Sequence, residues 1–98
     1  MKIGIEENDG IVTIKPEGNI DFLTAPELDA VIEKQALSAK SLVFDFAAVP
    51  YIASAGLRSI LNADELMEDK EGIRIIHVNK NVMAVFEMTG FTAELDIE

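Results

Sequence analysis

The chain has 98 residues, of which 18 are acidic and 8 are lysine or arginine, giving a formal net charge of −10. This charge repels nucleic-acid phosphates and anionic membrane surfaces, so we expect no nucleic-acid partner. Apolar residues make up 49% of the chain, which argues against disorder, and no apolar run approaches the roughly 20 residues that span a bilayer.

Residues 1–98 are therefore expected to form a single domain around one core, with no direct insertion into a membrane. The absence of cysteine excludes disulfides and thiolate metal sites and fits a reducing compartment. The first residues turn acidic at Glu6 and Glu7, unlike a secretory signal peptide. We predict a cytoplasmic protein. The scattered glycines form no phosphate-binding loop, and no cofactor is expected.

A β-hairpin is predicted at the N-terminus. Isoleucines alternate with polar residues at the start of the chain, Asn8-Asp9-Gly10 is a turn signal, and an alternating β-rich pattern resumes over residues 11–14. Pro16 and Gly18 are expected to end the second strand, because proline lacks an amide hydrogen and glycine permits turn conformations.

A first helix is predicted to begin at Thr24 and to end near residues 38–41. Thr24-Ala25-Pro26-Glu27 matches a capping box, in which Thr24 caps the first amides and Glu27 reaches back. Apolar residues at three- and four-residue spacing give this helix one stripe that must cover a sheet face. The stripe comprises Leu28, Val31, Ile32 and Ala36.

Residues 42–46 form a short, nearly continuous apolar run, typical of a central parallel strand that helices cover on both faces. A second helix is predicted to open at Ser54 after a turn. Its outward face is acidic, and its inward face is expected to comprise Leu57, Ile60, Leu61, Ala63 and Met67.

The remaining elements repeat the alternation of strand and helix. Gly72 breaks the second helix, residues 73–78 are a predicted strand, and Asn79 or Asn81 caps a third helix that ends at Gly90. A terminal strand is expected around residues 93–97. The order β-β-α-β-α-β-α-β predicts an α/β fold with a small mixed, mostly parallel sheet faced by helices.

Ser54 has two possible roles at its strand-to-helix turn. The structural role is an N-cap that accepts a hydrogen bond from an early amide of the helix. The functional role is an exposed hydroxyl that is modified or bound by a partner. Tyr51, Ile52 and Leu57 beside it form either an apolar recognition patch or ordinary core, and the pattern does not separate the two.

Enzymatic signatures are weak. The turn at Ser54 lacks the first glycine of a hydrolase elbow, and His77, the single histidine, favours a structural role over a catalytic triad. Asp21 and Asp45 are candidates for a Mg²⁺ or phosphoacceptor site at the strand ends. The favoured alternative is that Asp21 orders the loop before Thr24 and that Asp45 accepts backbone hydrogen bonds.

Five segments are distributed in order along the chain: Gly18–Asp21, Thr24–Leu28, Val43–Phe46, Tyr51–Arg58 and Val85–Phe91. Together they resemble the STAS family, named for sulfate transporters and anti-sigma factor antagonists. The Ser-x-Gly-Leu turn at Ser54 and the late Thr-Gly-Phe are the most specific pieces.

The resemblance implies a small sheet faced by helices and a regulatory protein without enzymatic activity. In free-standing bacterial members, the serine aligned with Ser54 is phosphorylated by an anti-sigma factor that is also a serine kinase. The unphosphorylated form binds that partner and releases the sigma factor, and a phosphoserine phosphatase restores it. A monomer or weak dimer is expected.

By the same resemblance, Asp21 lies close to the phosphorylation site. The partner-binding residues are then expected to be Asp21, Tyr51, Ile52, Ala53, Ser54, Ala55, Gly56, Leu57 and Arg58. No residue of this set is expected to bind a metal.

The chain departs from the family pattern on both sides of Ser54. Ala53 stands where the family often has Asp or Ser, and Ala55 where it often has a second Ser or an Ala. The missing acidic neighbour alters the surface that a kinase recognises. Ser59, further along the helix, is a less favoured phosphorylation site.

Two alternative functions remain open. The first is a STAS adaptor subunit of a lipid-transporting ABC complex, in which the helix face binds an ATPase subunit without phosphorylation of Ser54. The second, which is less favoured, is a Mg²⁺-dependent phosphatase-like enzyme that uses Asp21 and Asp45.

Overall fold

A computed structural model describes residues 1–98 and shows one five-stranded sheet with three helices and a short 3-10 helix. The strands are β1 (Lys2–Asn8), β2 (Ile11–Glu17), β3 (Ser41–Asp45), β4 (Ile73–Ile76) and β5 (Asp96–Ile97). The helices are α1 (Ala25–Ala36), α2 (Ser54–Leu66) and α3 (Lys80–Met88), and the 3-10 helix is Phe91–Ala93.

The sheet is mixed and follows the order β1-β2-β3-β4-β5. The pair β1–β2 is antiparallel, and the three other pairs are parallel. The predicted fold class and element order are confirmed. None of the helices is both long enough and apolar enough to cross a membrane.

The N-terminal hairpin turns through Asp9 and Gly10, whose φ angles are 54° and 86°. Two successive residues with positive φ match the right-handed twist of the paired strands, which explains the aspartate and the glycine. The predicted hairpin is confirmed.

Pro16 does not end β2. It pairs with Ile3 of β1, and the strand continues to Glu17. Pairing with β3 ends at Ile14, so one side of β2 is free at Pro16, where a residue without an amide hydrogen is tolerated. Gly18, with φ of 110°, follows the strand as predicted.

Helices cover only one face of the sheet. In β3, Leu42 and Phe44 are fully buried, whereas Val43 and Asp45 are only half-buried. The buried face of the sheet and all three helices contribute to one core cluster of 19 residues. The central position of β3 is confirmed, but the expectation of helices on both faces is wrong. Val43 makes residues 42–46 look continuously apolar in the sequence. Its side chain lies on the face of the sheet that no helix covers, which we call the open face.

The apolar stripes of the helices largely match their predictions. In α1, Leu28, Ile32 and Ala36 are buried and Val31 packs against the core. The helix ends at Ala36, earlier than expected.

Leu61 of α2 is 44% exposed, so its predicted place on the inward face is wrong. It follows the buried Ile60 directly, and adjacent helical residues do not share a face.

Both predicted ends of the third helix are confirmed. The Asn79 side chain accepts a hydrogen bond from the Val82 amide at 2.8 Å. Gly90, which follows the C-cap, has φ of 80°, the left-handed conformation that glycine adopts readily. The terminal strand is shorter than predicted, because residues 91–93 form the 3-10 helix.

A polar network lies on the open face of the sheet. Nδ1 of His77 is 2.8 Å from Oδ1 of Asp45, and the Ala47 amide donates to the same oxygen at 3.0 Å. The predicted backbone hydrogen bond to Asp45 is therefore confirmed, and His77 contacts the same carboxylate. β4 ends before His77, whose φ of 60° departs from strand geometry.

This network controls the ionisation of Asp45. Burial by itself would raise the pKa of the Asp45 carboxyl. The hydrogen bonds from His77 and the Ala47 amide, with the charges of His77 and Lys15, outweigh burial and hold the pKa below its ordinary value. The ionised carboxylate is thus favoured in the folded state.

We expect ionisation of Asp45 to stabilise the fold above its unfolded pKa, about 3.9, and this contribution to be lost as pH falls through the lower folded pKa. In His77→Ala, the folded pKa of Asp45 should rise towards the unfolded value. The variant should therefore lose more stability relative to wild type at pH 5 than at pH 3. Carboxyl NMR titration and urea unfolding measure both effects.

Arg74→Ala is the control for this prediction, because Arg74 lies on the same face but pairs with Asp96 and Glu98. Its substitution should leave the Asp45 titration unchanged. An Asp45 titration that is identical in His77→Ala and wild type would contradict the proposed coupling.

Candidate functional site

Ser54 is the first residue of α2, and its side chain is exposed. The N-cap is Ala53, in extended conformation with φ of −102° and ψ of 178°, and no side chain makes a capping hydrogen bond. The prediction that Ser54 caps the helix is wrong, because the helix begins one residue earlier than a capping role requires. The Ser54 hydroxyl therefore has no capping role.

A short parallel bridge between Ile20 and Ile52 holds the start of α2 in place. The Ile20 amide donates to the Tyr51 carbonyl at 3.0 Å, and the Ala53 amide donates to the Ile20 carbonyl at 2.8 Å. This bridge ties the loop after β2 to the loop after β3. The segment that carries Asp21 consequently runs beside the segment that leads into Ser54.

Gly56 lets α2 rest directly on this bridge. A Cβ at position 56 would lie 2.6 Å from Cγ1 of Ile52 and 2.7 Å from Cγ2 of Ile20. Both isoleucines are fully buried, so neither side chain has free space into which it can move. Glycine is required here by close approach and not by an unusual φ angle.

Asp21 orders the loop that precedes α1. Its Oδ1 accepts hydrogen bonds from the amides of Leu23 and Thr24, at 3.0 and 3.1 Å. The Thr24 hydroxyl donates to the Asn19 carbonyl at 2.8 Å and accepts from the Asp21 amide at 3.0 Å. The predicted loop-ordering role of Asp21 is confirmed.

The predicted capping box is wrong, although Thr24 does occupy the N-cap position of α1. The Thr24 side chain makes no capping hydrogen bond, because the loop between Asn19 and Asp21 engages its hydroxyl. The Glu27 carboxylate binds the amino group of Met1 at 3.0 and 3.1 Å instead of reaching back to Thr24. Both side chains therefore form hydrogen bonds with groups outside the motif.

Two large apolar side chains project from this loop. Phe22 is 74% exposed and Leu23 is 70% exposed. No sequence motif singled out these two residues, and the signal that was missed is a pair of large apolar residues between a turn-forming aspartate and a helix start. Tyr51 is exposed and Leu57 half-buried, but Ile52 is core. The apolar patch therefore differs from the one considered from sequence.

The residues that the family resemblance assigns to partner binding fall into three groups. Those with exposed side chains are Tyr51, Ser54 and Arg58. Those that are half-buried are Asp21, Ala53, Ala55 and Leu57. Those that are buried and support the surface from below are Ile52 and Gly56.

We use the name Ser54 surface for the exposed residues around the turn, which are Phe22, Leu23, Tyr51, Ser54 and Arg58. Ser59 is not part of it. The Ser59 side chain is 2% exposed and its hydroxyl donates to the Ala55 carbonyl at 3.2 Å. Burial makes Ser59 unsuitable as an alternative phosphorylation site.

Asp21 and Asp45 do not form a common site in the structure. Asp21 bonds to the amides of its own loop, whereas Asp45 bonds to His77 and Ala47 on the open face. No group of three or more His, Cys, Asp or Glu side chains is arranged to hold a metal ion. The convergence of the two aspartates, which was the less favoured alternative from sequence, is therefore not observed.

The fold and this surface together define a small α/β domain, built around a bridged turn that presents a hydroxyl at a helix start. The family model of the STAS domain matches residues 2–98. The chain belongs to the STAS domain family.

Similar proteins include “Putative anti-sigma factor antagonist BtrV” of Bordetella bronchiseptica. The two chains are 28% identical over 93 residues, which are 93% of this chain and 80% of the relative. The crystal structure of an anti-sigma factor antagonist from Mycobacterium paratuberculosis superposes with a TM-score of 0.90 at 25% identity. The match covers 98% of this chain and 83% of that one.

Two further solved structures share the fold at lower identity. The unphosphorylated form of the anti-sigma factor antagonist SpoIIAA matches with a TM-score of 0.84 at 17% identity, covering 99% of this chain and 88% of that one. The phosphorylated form of the Bacillus cell fate determinant SpoIIAA matches with a TM-score of 0.76 at 16% identity, over 99% and 91% of the chains.

Gly56→Ala should destabilise the protein by about 1–3 kcal/mol, because its Cβ overpacks the contact with Ile20 and Ile52. This outcome opposes helix propensity, which favours alanine over glycine by about 1 kcal/mol. Urea unfolding measures the change. Gly4→Ala is the matched control, since its Cβ would meet nothing nearer than 3.6 Å. Unaltered stability of Gly56→Ala would show that the bridge can shift without penalty.

Proposed function

We propose that this protein is an anti-sigma factor antagonist that binds an anti-sigma factor through the Ser54 surface, and that phosphorylation of Ser54 ends the binding. The observation that carries the proposal is the exposed hydroxyl at the first residue of α2, on a turn held by the bridge between Ile20 and Ile52. The similarity to the Bordetella and Mycobacterium anti-sigma factor antagonists supports this assignment.

The chemistry of the surface suits recognition of a protein. Phe22 and Leu23 supply exposed apolar area, and Tyr51 adds an aromatic ring with a polar tip. These side chains project from ordered loops, so little conformational entropy is lost when a partner covers them.

A phosphate on Ser54 would change binding without unfolding the domain. It adds about −1.5 to −2 charges at pH 7 to a protein that already carries −10. The first amides of α2 point towards such an anion, and the helix dipole favours it. The same charge, placed among apolar side chains, must be desolvated when a partner docks. The solved phosphorylated and unphosphorylated forms of SpoIIAA both share this fold.

The proposed partners are an anti-sigma factor with serine kinase activity and a phosphoserine phosphatase, in the cytoplasm. The protein acts by binding and does not itself catalyse a reaction. The contribution of Ala53 is the amide that donates to Ile20, which any residue except proline supplies. The turn therefore forms without the acidic neighbour, and the kinase must recognise other residues of the Ser54 surface.

Incubation with the serine kinase anti-sigma factor of the same organism and ATP should place one phosphate on Ser54, located by mass spectrometry. Ser54→Asp should weaken binding to that partner by about tenfold or more, which corresponds to about 1.4 kcal/mol. Ser54→Ala should bind but resist modification. Calorimetry with purified proteins measures the affinities.

Ser38→Asp is the matched control, because Ser38 is exposed after the far end of α1 and the substitution adds the same charge. It should bind like the wild type. Absence of phosphate at Ser54, together with undiminished binding by Ser54→Asp, would overturn the proposal. Binding of an ABC transporter ATPase subunit in place of the kinase would favour the adaptor function.

A further inference from the structure

The Asn79 side chain joins the start of α3 to the loop that leads into Ser54. Its Oδ1 atom accepts a hydrogen bond from the Val82 amide at 2.8 Å, which caps α3. Its Nδ2 group donates to the carbonyls of Val49 and Pro50, at 3.1 and 3.2 Å. These carbonyls lie 30 and 29 residues away in the sequence. One side chain thus connects two elements that are distant along the chain.

These three hydrogen bonds together require an asparagine. A helix cap needs only a side-chain oxygen, which serine, threonine and aspartate supply as well. Binding two carbonyl oxygens at the same time also needs a group with two donor hydrogens, and the carboxamide has both that group and an acceptor oxygen. An ionised aspartate has the same shape but only accepts hydrogen bonds. The cap alone therefore does not explain Asn79, whereas the cap and the loop together do.

The loop from Val49 to Ala53 is held from two sides. On one side, the backbone of Ile20 forms the bridge, with hydrogen bonds to the Tyr51 carbonyl and the Ala53 amide. On the other side, Asn79 binds the two carbonyls that directly precede Tyr51. No backbone amide donates to either of these carbonyls, so Asn79 is their only donor within the protein. Without it, this side of the loop loses its attachment.

Tyr51 is the residue of the Ser54 surface that depends on this attachment. It directly follows the second carbonyl, and it is 49% exposed. All the aromatic pairs of the protein are formed between phenylalanines, so the Tyr51 ring has no aromatic neighbour that orients it. The direction of the side chain is therefore set by its own backbone, which Asn79 and Ile20 fix.

We propose that Asn79 is a positioning residue of the Ser54 surface, which holds Tyr51 in the orientation that a protein partner contacts. From sequence, Asn79 was expected only to cap α3. The identity of the partner as an anti-sigma factor rests on the proposed function, whereas the control of Tyr51 by Asn79 does not. The start of α3 thereby influences the interface through Tyr51.

The first test measures the mobility of Tyr51 in the free protein. Tyr51 is the single tyrosine and the chain has no tryptophan, so time-resolved anisotropy of the intrinsic fluorescence reports on this ring. Asn79→Asp keeps the shape of the side chain and the capping oxygen but removes both donor hydrogens. It should increase the amplitude of the fast anisotropy decay. The ¹⁵N order parameter of the Tyr51 amide should fall from about 0.85 towards about 0.6.

Two further variants separate the attachment of the loop from the cap and from the charge. Asn79→Ser retains a capping oxygen without the carboxamide and should mobilise Tyr51 in the same way. Asn81→Asp adds the same charge at an exposed position in the first turn of α3 and should leave Tyr51 unaltered. Urea unfolding verifies that each variant is folded. Wild-type mobility of Tyr51 in both Asn79 variants would overturn the proposal, as would equal mobilisation by Asn81→Asp.

The second test is a double-mutant cycle with the purified anti-sigma factor. Asn79→Asp should weaken binding by about fivefold or more, because the partner must then order a mobile loop. In the Tyr51→Ala background, the same change should alter binding by less than about twofold, since the side chain that Asn79 positions is absent. Equal effects in both backgrounds would indicate a general structural role and contradict positioning through Tyr51.

The two proposals fail in different ways. Wild-type affinity of Ser54→Asp would overturn the proposed switch and leave the mobility of Tyr51 in the Asn79 variants as evidence for positioning. Conversely, unaltered mobility of Tyr51 in those variants, with Ser54 still acting as the switch, would overturn the positioning role alone.

Discussion

The contact of Gly56 with Ile20 and Ile52 is the constraint on which the candidate site depends. Two loops that follow different strands meet in a single parallel bridge, and α2 rests on that bridge through a backbone without a side chain. Because both isoleucines are fully buried, the start of α2 has one available position. The Ser54 hydroxyl and the Asp21 loop are thereby held side by side on the same surface.

The parallel part of the sheet explains why these features share one edge. Loops that leave the carboxyl ends of parallel strands emerge together, and such edges commonly carry the binding sites of α/β proteins. Here they deliver the first turns of α1 and α2, and α2 begins with the exposed Ser54. The open face of the sheet is used differently. Its charged side chains, including Lys15, Asp45 and Arg74, are paired with one another or with neighbours.

The surface separates recognition from regulation. Exposed apolar residues, mainly Phe22 and Leu23, offer contact area on an ordered loop. A phosphate on Ser54 would add charge where the helix amides tolerate it and where a docking partner does not. Such a switch acts on the interface and leaves the core unaltered.

The sequence by itself determined the element order, the hairpin turn at Asp9 and Gly10, and the third helix between Asn79 and Gly90. These features depend on dihedral preferences and on hydrogen bonds within a few residues, which local sequence specifies.

The family resemblance also pointed to Ser54, but from sequence its exposure and the absence of a capping role were not known. Only the tertiary structure decided those properties, along with the single covered face, the buried Ser59 and the projecting Phe22. Burial and hydrogen-bond choice depend on what packs opposite a residue, and distant parts of the chain supply those neighbours.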